Sequence, residues 1–135
     1  TNVKPNSYFT SQQPGIIDIV PSICRFMKLQ TEPSVEREFD GVPFYGKISL
    51  SELKAERKGN KISLKWDAYD SAPAEIWITT TNHYKTGGTD HWIKAGRTKA
   101  DKESFDIDVS SLPSDFYKIW VKGKHNGTTT WITKP

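Results

Sequence analysis

From residue 48 onward, apolar and polar positions alternate in short stretches. Runs at 48–53, 61–66, 74–80, 91–95, 104–109, 116–121 and 128–133 are rich in β-branched and aromatic residues. Successive side chains of a strand point to opposite faces, so alternation assigns each position a side. Ile62, Leu64 and Trp66 fall on one side of the second run, Lys61, Ser63 and Lys65 on the other. Phe105, Ile107 and Val109 alternate with Asp106 and Asp108, and Tyr117, Ile119 and Val121 alternate with Lys118, Trp120 and Lys122. Lys58-Gly59-Asn60, Asp70-Ser71-Ala72-Pro73, Thr86-Gly87-Gly88, Leu112-Pro113-Ser114 and Asn126-Gly127 divide the runs. Seven short strands separated by turn residues predict a mainly β chain, folded as a two-sheet antiparallel sandwich. Asn126-Gly127 predicts a hairpin joining the last two strands.

The first 47 residues follow another pattern. Pro5, Pro14, Gly15 and several Asn, Ser and Gln residues predict an extended lead-in over 1–15. Ile19, Ile23, Phe26 and Met27 then recur at spacings of three and four, which predicts one short α-helix at 18–29 with a single apolar face. Asp18 is placed to cap it, and Pro21 falls in the first turn, where a missing N–H does little harm. A helix this short does not hold by itself. Its apolar face needs a cover, either the downstream strands or a body outside this sequence. The change of pattern divides the chain into a segment at 1–47 and a β-sandwich domain at 48–135.

Composition narrows the function. With 35% hydrophobic and 12% aromatic residues, the 135-residue chain has material for a core. The net charge of +3 comes from Lys and Arg residues interleaved with acids after residue 48. No basic cluster of the kind that tracks phosphates is present, so nucleic acid is not an expected partner. One cysteine, Cys24, rules out an intrachain disulfide and Cys-x-x-Cys metal sites, and its neighbours Ile23, Phe26 and Met27 suggest a buried thiol. No apolar run is long enough for a membrane span, and the first residues do not form a signal peptide.

Ile62-x-Leu64-x-Trp66, together with Leu112 five residues before Tyr117, resembles a fibronectin type III or immunoglobulin-like sandwich over about 48–133. That resemblance implies that Tyr117, at the start of the sixth strand, bonds backward to the backbone. Residues 14–47 resemble the C-terminal end of the type I phosphodiesterase/nucleotide pyrophosphatase branch of the alkaline phosphatase superfamily. The matching positions are Asp18, Ile19, Pro21, Ser22 and Ile23, then Asp40, Gly41 and Pro43. Val20 stands where the family commonly has Ala, and Ser22 where it has Thr. The resemblance implies a parent with two zinc ions and a Ser or Thr nucleophile, all upstream of the matching segment. Asp18 and Asp40 correspond to a helix cap and a turn former. The chain is then expected to be a C-terminal piece of an exported bacterial hydrolase: periplasmic, secreted or at the cell surface. It would hold a remnant of the catalytic domain at 1–47 and an accessory module at 48–135, with the missing catalytic domain as its partner.

No catalytic or metal-binding residue is expected in the chain itself, and no cofactor. His83, His91 and His125 are scattered among predicted loops, whereas zinc needs three or four converging ligands. Thr86-Gly87-Gly88-Thr89 lacks the Lys and helix of a phosphate loop, and no Gly-x-Ser-x-Gly turn occurs. The expected functional feature is aromatic. If Ile76, Ile78, Ile119, Val121 and Ile132 face the core, then Trp77, Trp120 and Trp131 face outward side by side, edged by Lys118 and Lys122. Such a face marks an interface. Docking to the helix or to the missing domain is the first reading, and glycan binding by ring stacking the second. A register error of one residue would bury all three rings.

Overall fold

The computed structural model describes residues 4–134. The first three residues of the expected lead-in and Pro135 lie outside the described residues. Seven strands form the body: β1 (Leu50–Lys58), β2 (Lys61–Ala68), β3 (Pro73–Thr79), β4 (Ile93–Lys99), β5 (Ser104–Asp108), β6 (Phe116–Lys122) and β7 (Gly127–Thr133). They pair antiparallel in two sheets, a three-stranded one ordered β1-β2-β5 and a four-stranded one ordered β4-β3-β6-β7. This three-on-four arrangement is an immunoglobulin-like β-sandwich, as the strand pattern predicts.

The inner faces carry the residues that alternation assigned to them. Ile62, Leu64 and Trp66 of β2 meet Ile76 and Ile78 of β3 and Tyr117, Ile119 and Val121 of β6, all buried. Burial of each such side chain contributes about 1.5–3 kcal/mol. Trp66 satisfies its indole N–H by donating to the Ala100 carbonyl at 2.8 Å. The Tyr117 hydroxyl donates backward to the Leu112 carbonyl at 2.6 Å and accepts from the Ser114 N–H at 3.0 Å. The backward bond implied for Tyr117 is therefore made.

Element boundaries differ most from the pattern at β1 and β4. β1 runs on through polar Lys54–Lys58, because antiparallel pairing with β2 continues as far as Lys58 opposite Lys61. β4 begins at Ile93 rather than His91, and extends to Lys99 opposite Pro73. Asn126-Gly127 does lie in the β6–β7 hairpin, but not as a two-residue turn. Lys122 pairs with Gly127, and Gly123–Asn126 form the loop between. The Asn126 side chain is used elsewhere. Its carboxamide oxygen accepts from the Ser49 and Leu50 N–H groups, and its amide donates to the Leu50 carbonyl.

The N-terminal segment holds three short helices where the pattern predicts one: α1 (Ser7–Ser11), α2 (Ile19–Phe26) and α3 (Pro33–Glu36). A 3₁₀ turn at Ile16–Asp18 precedes α2, so the expected helix at 18–29 is shorter at both ends. The segment wraps around the sandwich without adding a strand to either sheet. Its own small cluster, Tyr8 and Val42, buries with Ile48 against Tyr69.

Candidate functional site

Two surfaces and one cleft are the candidate sites. The first surface faces the outer side of the four-stranded sheet. Trp77 of β3 is the direct partner of Trp120 of β6, and Lys118 of β6 is the partner of Trp131 of β7. The three indoles thus lie on the predicted outer face, but they are not equally open. Trp120 is 3% exposed and Lys118 5%, whereas Trp131 is 62% exposed. Outward-facing Trp120 and Lys118 are covered because residues 37–40 lie across them.

The cover is specific. Phe39 accepts at its carbonyl from the Thr129 N–H, and Asp40 at its carbonyl from the Thr128 hydroxyl. The Arg37 guanidinium sits 5.2 Å from the Trp120 ring, 5.7 Å from Trp92 and 5.8 Å from Trp77. Flat cations stack favourably on indole faces. Beside it, Lys118 Nζ is ion-paired with Glu38 and stands 3.8 Å from Asp90 Oδ2. Burial alone would raise the Asp90 carboxyl. Hydrogen bonds from the Thr81 hydroxyl and the His83 N–H, with the Lys118 charge, outweigh it and hold the group below the usual carboxylate range. Arg37, Glu38, Trp92 and Asp90 escape sequence reasoning. Glu36-Arg37-Glu38 is a run of charges with no periodicity, so nothing in its spacing shows that it lies on a sheet.

The second surface is α2, and it is oriented inside out. Its polar side faces the protein. The Arg25 guanidinium donates to the carbonyls of Tyr45, Lys47 and His125, and the Ser22 hydroxyl accepts from the Phe44 N–H. Its apolar side faces solvent. Ile16 is 85% exposed, and Ile19, Val20, Ile23, Phe26 and Met27 are all exposed. Nine of the twelve exposed large hydrophobics among the described residues lie from Phe9 to Leu29, and Ile19, Ile23, Phe26 and Met27 share one side of α2. The downstream strands do not cover this face.

Asp18 holds the helix in that pose, though not as the expected cap, since it makes no side-chain cap bond to α2. The fully buried carboxylate accepts from the Tyr8 hydroxyl at 3.0 Å, the Gly15 N–H at 2.8 Å and the Val42 N–H at 2.7 Å. It thereby ties α1, the entry to α2 and the Asp40-Gly41 turn into one knot. Gly41 is there because of space: a Cβ on it would lie 2.1 Å from the Ile17 carbonyl oxygen. Asp18 and Gly41 therefore both have structural work. Burial raises the Asp40 carboxyl above its ordinary range.

Between α2 and the β6–β7 hairpin lies a cleft of about 380 Å³. Cys24 and Arg25 line one wall, Lys122, Lys124, His125 and Gly127 the other, with Trp120 also in the lining. Cys24 is partly exposed there rather than sealed in a core. His83 lies in a 3₁₀ turn, His125 in the β6–β7 loop, and His91 ahead of β4. Among the described residues, no three His, Cys, Asp or Glu side chains are grouped to hold a metal ion.

No protein-family model matches the chain, and no curated protein does. Three solved structures share part of its shape. Pectate lyase PelI from Erwinia chrysanthemi, solved with tetragalacturonic acid, is 15% identical with a TM-score of 0.44, over 64% of this chain and 27% of that one. Pectate lyase Pel3 from Pectobacterium carotovorum is 19% identical with a TM-score of 0.41, over 58% and 24%. A DUF3244 family protein with an immunoglobulin-like β-sandwich fold, from Bacteroides vulgatus, is 19% identical with a TM-score of 0.41, over 66% of this chain and all of that one. The chain thus spans about a quarter of the length of the pectate lyases. None of these three is a phosphodiesterase, and likenesses of this size assign neither family nor activity.

Proposed function

We propose that this chain is a non-catalytic accessory module that scaffolds a catalytic domain, docking it on the apolar face of α2. The observation that carries the reading is the inverted helix. A short amphipathic helix buries its apolar side when it can, because each large side chain so buried gains about 1.5–3 kcal/mol. Here Arg25, Ser22 and Asp18 bind the polar side to backbone groups of the module, so α2 cannot roll inward without breaking those bonds. The patch is held ready for a rigid apolar surface. Contiguous apolar exposure of this kind marks an interface.

The proposed occupant is the catalytic body of the same polypeptide, for which the resemblance of residues 14–47 implies an exported, two-zinc phosphodiesterase or phosphatase-like hydrolase. The segment that carries the resemblance is the segment that turns its apolar side away from the sandwich. Arg37 and Glu38 fix the other end of that segment on the Trp face, so the sandwich acts as a clamp on the closing helix. Glycan stacking is the weaker use of that face, since Trp120 is already occupied by Arg37 and Trp92. The test is hydrolysis of bis(p-nitrophenyl) phosphate with zinc. The protein made from the complete reading frame is expected to turn it over and this chain is not. Turnover by this chain above the buffer rate, or none by the complete protein on phosphate or sulfate esters, overturns the reading.

A further inference from the structure

We infer that the cleft between α2 and the β6–β7 hairpin is a binding site for an oxyanion, a carboxylate or phosphate group on a small polar molecule. The inference does not depend on what covers the outer side of α2, because the cleft lies on the opposite, polar side of that helix.

Three observations converge on it. The first is charge. Arg25, Lys122 and Lys124 line the cleft against a single carboxylate, Glu36. Arg25 gives its hydrogen bonds to three backbone carbonyls and forms no ion pair among the described residues, and neither do Lys122 and Lys124. Partial burial also lowers the Arg25 pKa, in keeping with a guanidinium that has no counter-ion among the described residues. The second is a stranded donor. Trp120 is 3% exposed, and its indole N–H has no partner. A buried donor without an acceptor is unfavourable, and it adds the positive end of an uncompensated dipole to the cleft lining. The third is space. Gly127 lines the same cleft, and a Cβ on it would lie 2.7 Å from Trp120 Nε1. Its φ is not left-handed, so the backbone does not demand glycine there. Glycine is needed there because the backbone packs directly against the indole at the cleft wall. A cleft of about 380 Å³ is within the range of small-ligand sites.

The test uses the whole chain and two readouts. One is the indole N–H cross-peak of Trp120 in a proton–nitrogen correlation spectrum. The other is the alkylation rate of Cys24, the sole cysteine, which lines the cleft. The probes are inorganic phosphate and glucuronate, with glucose and ionic-strength-matched chloride as controls. Phosphate or glucuronate is expected to move the cross-peak saturably and slow alkylation, and whichever acts at lower concentration identifies the source of the oxyanion. Glucose and chloride are expected to do neither. Lys122→Met/Lys124→Met, both exposed positions, should weaken binding about tenfold, the equivalent of one charge-assisted hydrogen bond. Equal response to glucose, unchanged affinity in the double variant, or no response to either anion overturns the inference.

Discussion

Replacing Glu38 with Gln tests whether the N-terminal segment is locked to the sandwich or merely lies on it. Glu38 neutralises Lys118, whose side chain is 6% exposed on the outer face of β6. Removing one partner of a buried pair usually costs about 3–5 kcal/mol, because the other charge is left without compensation. Two features reduce that here. Asp90 Oδ2 remains 3.8 Å from Lys118 Nζ, and the Glu38 side chain is itself 22% exposed. The expected loss is therefore about 2 kcal/mol. For a chain of this length that is a fall of about 5–10 °C in Tm. Urea unfolding followed by Trp fluorescence gives the number directly, as a lower midpoint at unchanged slope. A buried pair is little screened, so the loss should be similar at low and high salt. A loss under about 0.5 kcal/mol, the ordinary effect of a surface substitution, would refute the lock.

The remaining predictions concern the same segment and face. Gly41→Ala should destabilise by about 2 kcal/mol or more, since the added carbon meets the backbone of Ile17 and not a movable side chain; thermal melts give the value. Burial, and next the hydrogen bond to Asp18 with its negative charge, raise the Tyr8 phenol above its ordinary value. A raised pKa contributes stability that is complete below about pH 10 and lost as pH rises beyond it. Tyr8→Phe should thus flatten the alkaline limb of a stability–pH curve, and an unchanged limb would contradict the assignment. Trp120→Ala should cost about 3–5 kcal/mol as a core truncation, whereas Trp131→Ala should leave the denaturation midpoint nearly unchanged. If any polysaccharide quenches the chain's fluorescence, loss of that effect in Trp131→Ala alone would favour the glycan reading of the face.

Strand alternation carries a two-fold period that survives any tertiary arrangement, so the sandwich, its facing residues and the Tyr117 bond are legible in the amino-acid order. The helix at 18–29 is legible for a similar reason, and so is its apolar face. Its orientation is not. Periodicity says that one side is apolar but not which side meets the protein, and here three backbone carbonyls that receive Arg25 decide it. The outward direction of Trp120 follows from β6, but its burial comes from Arg37, some 80 residues earlier, in a run of charges with no periodicity. The stranded indole N–H is visible only in three dimensions, because it depends on which groups pack around Trp120.

The central claim is that the apolar side of α2 is a docking surface for a catalytic domain of the same polypeptide. Hydrogen exchange at residues 16–29, compared between this chain and the protein from the complete reading frame, tests it most directly. The account predicts marked extra protection in the longer protein, lost on Ile19→Ser/Ile23→Ser/Phe26→Ser, while the same triple change leaves this chain's stability within about 0.5 kcal/mol per site. Equal exchange in both proteins, with the helix as exposed in the longer one as in the shorter, would contradict it.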